Sequence, residues 1–105
     1  VKVSKVLRKA ADHIETYGHH KGYFWPDGES FDAPYTAGDP CCALGAIAVV
    51  EGVDPTIFDT EAMQFVADHL AMTTPRFADW NDSHSDVEVL AILRAASEQA
   101  KRLGR

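Results

Sequence analysis

The sequence has no apolar run long enough to cross a membrane. The longest, residues 41–50, falls well short of the roughly 20 residues a spanning helix needs. Cysteine is scarce: there are two, Cys41 and Cys42, and adjacent residues seldom meet disulfide geometry, so both are expected as free thiols. No Cys-x-x-Cys and no His-x-x-x-His is present, so the pattern of a zinc site is missing and no metal is expected. The first nine residues mix their charges with apolar residues instead of separating a basic stretch from an apolar one, which is not the layout of a signal peptide. Together these absences predict a cytoplasmic chain without membrane contact.

A chain of 105 residues with 46% hydrophobic and 25% charged residues suits one globular domain, spanning 1–105. The formal net charge is -6, and it is segregated. Residues 1–21 hold five bases and two acids, a net of +3, and residues 94–105 hold four bases and one acid, again +3. Between them thirteen acids face the single base Arg76, a net of -12. An acidic total disfavours nucleic acid as a partner, because phosphate contacts need a basic surface. The terminal segments make a basic face only if they pack side by side; otherwise their charges are solvated or paired within the chain.

Val3, Val6, Leu7, Ala10, Ala11, Ile14 and Tyr17 follow the spacing of one helix face, and Gly18 supplies a stop. Residues 18–38 lose this periodicity and gather glycine and proline, which predicts a loop or a short β-hairpin around Pro26-Asp27-Gly28. Asp39-Pro40 reads as an N-cap followed by a first-turn proline, opening a helix through residues 41–50 that is apolar on every side and therefore central. Within it, Gly45 allows a neighbouring backbone to come close, and Gly52 ends it. Asp54-Pro55 opens a short helical turn through Phe58. A third helix is expected over about 60–72, stopped by Thr73-Thr74-Pro75. Ser85 and Glu88 form a capping box for a last helix, with Val89, Leu90, Leu93, Ala96, Ala100 and Leu103 on its buried side. The expected fold is mainly α: a compact bundle of about four helices around a buried central helix, with the loop or hairpin inserted between the first and second.

Several of these segments share a known pattern. Val6-Leu7-Arg8-Lys9-Ala10-Ala11, Cys42-Ala43-Leu44-Gly45-Ala46, Trp80-Asn81-Asp82 and Glu88-Val89-Leu90 with Leu93 and Ala96 occur in the order of a family of small uncharacterised proteins. In this order the chain resembles a domain of unknown function from actinobacteria and their phages, including mycobacteriophages. The resemblance covers nearly the whole chain. It implies a fold of helix, loop, Cys-Ala-Leu-Gly-Ala helix, variable middle, Trp-Asn-Asp turn and final helix, and it supplies no reaction. Cys41 departs from the pattern, since relatives often carry a larger residue there.

The residues themselves offer several chemistries. With the central helix starting at Pro40, Cys41 and Cys42 fall in its first turn, where free amides and the helix dipole lower a thiol pKa. Cys42 is thus a candidate nucleophile, with His84 foremost among the histidines His19, His20, His69 and His84, and with Asn81 or Asp82 as orienting group. The alternative is that both thiols pack in the core, as free cysteine usually does. The run from Asp79 to Asp86 is rich in oxygen ligands but fails as a calcium loop. His84 stands where glycine is required, and Leu90 stands where a bidentate glutamate is required. Asn81 and Asp82 are then expected to bond local backbone amides, with Trp80 as an apolar anchor or part of a binding surface. Tyr23, Phe24 and Trp25 open a cluster of aromatics that is either a lid over the helices or an exposed surface for a protein partner.

No complete catalytic signature emerges, so the first expectation is a non-enzymatic accessory protein that binds a host or phage protein, as a monomer or small homo-oligomer and without a cofactor. A small cysteine-dependent hydrolase or transferase using Cys42 is the rival. A nucleic-acid-associated protein using the basic ends ranks third.

Overall fold

The structure, a computed structural model, describes residues 2–22, 24, 38–54 and 60–105. Among these residues the fold is mainly α, as the periodicity predicts, with five helices and no strand. They are α1 (Val3–Tyr17), α2 (Ala43–Glu51), α3 (Glu61–His69), α4 (Thr74–Ser83) and α5 (Asp86–Arg102). The expected hairpin turn at Pro26-Asp27-Gly28 and the helical turn at Pro55 to Phe58 lie outside the described residues.

The core follows from the apolar stripes. Val3, Val6, Leu7, Ala10, Ala11 and Ile14 bury one face of α1, while Tyr17, placed on the same stripe by its spacing, stands half exposed at the helix end. Leu44, Ala46, Ile47 and Ala48 bury α2, which has no polar face to turn outward. α1 packs chiefly against α5 and α2, and α3 and α4 close the remaining sides of α2. Leu103, expected in the buried stripe of α5, is 60% exposed, because α5 ends at Arg102 and Leu103 turns away as its C-cap.

The segments at the two edges of the insert meet. The amide of His20 donates to the Cys41 carbonyl at 3.0 Å and that of Cys41 to the Gly18 carbonyl at 3.2 Å, an isolated parallel bridge. This bridge holds Cys41 outside α2. The helix start therefore differs from the expected one: Cys42, not Asp39, is the N-cap, and Pro40 precedes the helix. Asp39-Pro40 resembles a cap by composition, but the pairing of Cys41 with 18–20 delays the helix start by three residues.

α4 is the element that composition concealed. Thr73-Thr74-Pro75, expected to stop the third helix, instead starts the next, since α3 has already ended at His69: the Thr73 hydroxyl accepts from the Arg76 amide at 3.4 Å, and Pro75 sits in the first turn, where its missing N–H costs nothing. The motif Trp80-Asn81-Asp82 thus lies in the last turn of a helix and not in a turn between elements. Phe77, fully buried, is the large side chain that α4 contributes to the core. The capping box at Ser85 and Glu88 is present as expected, with the Ser85 amide donating to Glu88 Oε1 at 3.1 Å.

α3 ends in a left-handed residue that is not glycine. Ala71 has φ 55°, and the Met72 amide reaches back to the Ala67 carbonyl at 3.0 Å, the six-to-one bond of a Schellman end. Alanine pays a steric penalty in this conformation that glycine does not. Ala71→Gly is expected to stabilise the protein by about 0.5–1 kcal/mol, read as a higher midpoint in urea with an unchanged slope.

Candidate functional site

A helix that starts inside a protein must find partners for its first amides, which have none within the helix. The N-terminus of α2 is such a start, since Cys42, Ala43, Leu44 and Gly45 are all buried. Its amides are met one by one. Cys42 N–H donates to the Phe24 carbonyl at 3.0 Å, Ala43 N–H to Asn81 Oδ1 at 3.0 Å, and Gly45 N–H to Cys42 Sγ at 3.2 Å. A sulfur atom therefore serves as the capping acceptor where an oxygen is usual.

Asn81 is the hub. It is 1% exposed, and each half of its carboxamide is fixed by a backbone group. Oδ1 faces the Ala43 amide, so Nδ2 must be the atom that faces the His20 carbonyl at 3.3 Å. Nδ2 also donates to Asp82 Oδ1 at 3.2 Å, and Asp82 Oδ1 accepts the Gly22 amide at 2.9 Å. The second contact to Oδ1 comes from His19 Nε2 at 2.7 Å. Because Oδ1 can only accept, His19 carries a proton on Nε2 and cannot use that nitrogen as a base. One asparagine thereby joins α4, the start of α2 and residues 19–20, and Asp82 extends the link to Gly22.

The candidates from the sequence are thus partly assembled. Asn81, Asp82 and His19 come together beside Cys42, whereas His84 points elsewhere. His84 caps α4 with Nδ1 donating to the Trp80 carbonyl at 2.7 Å, and its ring stacks on Trp80 at 4.0 Å between centroids. Trp80, half buried, stacks in turn on Phe77 at 5.7 Å. Phe24 is half buried and packs against the core, while Tyr23 and Trp25 lie outside the described residues. His20 contributes its backbone, and His69 bonds Gln99 across α3 and α5 at 2.6 Å.

Both thiols are buried, Cys41 at 0% and Cys42 at 7% exposure. Burial pushes the Cys42 thiol up to about 12, against the opposing pull of the Gly45 amide and with a further upward push from Asp82. Cys41 is also raised to about 12, by burial first and then by the neighbouring Cys42 and Asp39. The amides at the helix start act in the direction expected from the sequence, but desolvation outweighs them. Among the described residues no histidine nitrogen is within hydrogen-bond reach of Cys42 Sγ.

One histidine that sequence reasoning passed over does approach a thiol. His13 Nε2 lies 3.4 Å from Cys41 Sγ and 3.1 Å from the Asp39 carbonyl. A carbonyl can only accept, so this nitrogen bears the proton and cannot take one from sulfur. The contact is a clamp between α1 and the bridge, and no spacing within the chain announces it, because 28 positions separate the pair. No group of three or more metal-binding side chains forms among the described residues.

Gly45 has the role its spacing suggested. A Cβ there would lie 2.5 Å from the Phe24 carbonyl oxygen, the same oxygen that holds the Cys42 amide. Gly45→Ala is expected to destabilise the fold by about 2–4 kcal/mol, since backbone and not a flexible side chain must move. Asn81→Ala should cost a similar amount, about 2–4 kcal/mol, by leaving the Ala43 amide and His20 carbonyl without partners. Chemical denaturation measures both.

The thiols also set an alkaline limit. Their protons are held to about 12 in the folded state against an ordinary value of 9.0, so the unfolded chain binds fewer protons between those limits. Stability contributed by the neutral thiols is complete below pH 9 and is lost as pH rises toward 12, with a slope approaching about 1.4 kcal/mol per pH unit for each thiol. Cys42→Ala is expected to flatten this dependence in denaturation curves recorded between pH 8.5 and 10.5.

Similarity to known proteins adds one finding. No curated protein and no solved structure gives a significant match. A family model spans residues 1–99, nearly the entire chain, as expected of a domain of unknown function; the chain belongs to DUF6197, a family of unknown function.

Proposed function

We propose that the protein is a non-enzymatic accessory protein of an actinobacterium or of a phage that infects one, and that it works in the cytoplasm by binding a host or phage protein. The observation that carries this reading is that the groups a thiol enzyme would use are already engaged in holding the fold. Cys42 Sγ caps α2, Asn81 is bonded through both halves of its carboxamide, and His19 donates into Asn81. A reaction through Cys42 would have to expose a buried sulfur and break the cap that starts the central helix.

The surface leaves room for recognition. Two grooves, one between the ends of α1 and α5 and one beside the turn from α3 to α4, lie apart from the cysteines and from Asn81. In the sequence, Tyr23 and Trp25 are aromatic residues of the type that protein interfaces favour.

The test is affinity capture from a mycobacterial lysate, using the wild-type chain, Tyr23→Ala/Trp25→Ala, and an unrelated helical protein of similar charge. The wild type is expected to retain a defined protein that the unrelated helix does not. Retention of nothing specific would contradict the reading. So would turnover of a thioester or ester substrate that Cys42→Ser abolishes without unfolding the chain. With folded protein at pH 8, iodoacetamide is expected to leave both thiols unlabelled, and both should label once the chain is unfolded.

A further inference from the structure

The basic ends of the chain do meet. α1 and α5 run antiparallel, with the Ser97 hydroxyl donating to the Ser4 carbonyl at 2.7 Å and the Ser4 amide donating to the Arg105 carbonyl at 3.2 Å. Where the first turn of α1 lies beside the last turn of α5 there is a groove of about 470 Å³. Lys2, Lys5, Arg8, Lys101 and Arg105 line it, against the single acid Glu98.

Most of these cations have no structural employment. Of the basic residues on or beside the two helices, Arg94 reaches Asp12 at 3.3 Å and also Glu15, and the groove residue Arg105 reaches Glu61 at 2.8 Å. Lys2, Lys5, Arg8 and Lys101 take part in no ion pair among the described residues. In a chain of net charge -6, leaving four cations together and unpaired stores repulsion that an anionic partner would relieve.

We propose that this groove docks an acidic segment of the partner protein, a deepening that rests on the binding role above. Its dimensions argue for a short segment. Lys2, Lys5 and Arg8 follow one another at three-residue steps, about 4.5 Å each along the axis, so the basic strip is only about 9 Å long. That length matches a few carboxylates on one face of a partner helix. A nucleic acid duplex would run past it onto the acidic remainder of the surface. The lining is Lys and Arg side chains over a serine floor, with no aromatic to stack on a base.

The test titrates a fluorescein-labelled polyglutamate peptide into the full chain and follows anisotropy. Lys5→Glu/Arg8→Glu is expected to weaken binding about tenfold or more, the scale of one lost favourable charge contact or better. Both positions are exposed, and the glutamate of Lys5→Glu, in the first turn of α1, favours the helix dipole, so the fold is retained. Lys9→Glu/Arg102→Glu makes the same change of charge on the same helices outside the groove and should leave binding within about twofold once salt is near physiological. Glu98→Gln should tighten it, a gain that misfolding cannot produce. Equal weakening by both double variants, no gain from Glu98→Gln, or tighter binding of a DNA duplex than of polyglutamate would each overturn the proposal. Repeating the lysate capture separates the two levels of the argument. A partner lost by Lys5→Glu/Arg8→Glu and kept by Lys9→Glu/Arg102→Glu supports the groove; equal capture by all overturns the groove but not the binding role; capture by none overturns both.

Discussion

The fold depends on one constraint: a helix with no polar side starts in the interior, and its first amides must be satisfied there. α2 cannot turn any face to water, so α1, α3, α4 and the chain at Phe24 surround it. Its amides then find partners at two distant places in the sequence, the Phe24 carbonyl and the Asn81 carboxamide, and at one local one, the sulfur of the N-cap Cys42. An unpaired buried amide costs about 1–3 kcal/mol, so loss of any of these contacts is felt across the fold. The small residues of Cys42-Ala43-Leu44-Gly45-Ala46 and the Trp80-Asn81-Asp82 segment are two halves of this solution. One supplies a start without bulk, and the other supplies the acceptor that reaches it.

The same constraint decides the chemistry. Position near a helix N-terminus lowers a thiol pKa when the thiol remains solvated, and raises no obstacle to reaction. Here the position is buried, and desolvation reverses the outcome. Asn81 looks like an orienting residue beside a histidine, yet its oxygen already accepts from Ala43 and its nitrogen already donates to His20. The apparent triad is a knot that ties three segments together. Lys2, Lys5, Arg8 and Lys101, which take no part in the ion pairs of the fold, lie at the other end of α1 in the groove against α5, apart from the Asn81 hub.

Much of the architecture is legible in the sequence because it is local. The stripe of α1, the all-apolar α2 and the Ser85–Glu88 capping box each follow from spacings of three or four residues. Gly45 is readable as a point of close approach, although only the fold shows that Phe24 is what approaches. Most of what the local pattern leaves unread involves a contact between distant residues. Asp39-Pro40 has the composition of a cap, but the bridge from Cys41 to 18–20 delays the helix. Thr73-Thr74-Pro75 signals a boundary without saying that a further helix follows. The partners of Asn81, and the approach of His13 to Cys41, span dozens of positions and leave no periodic trace. The basic groove depends on the ends packing side by side, and the stripes of α1 and α5 alone do not fix which helices they face.

The central claim is that Asn81 and Cys42 close the buried start of α2. Amide hydrogen exchange of the native protein measures this directly at Ala43 and Gly45, whose amides would exchange freely at an ordinary exposed helix start. The account predicts that both exchange only through global unfolding, with protection equal to that of mid-helix amides in α1 and α5, and that Asn81→Ala removes the excess protection at Ala43. Rapid exchange at Ala43 in the wild-type protein, with the rest of α2 protected, would contradict it.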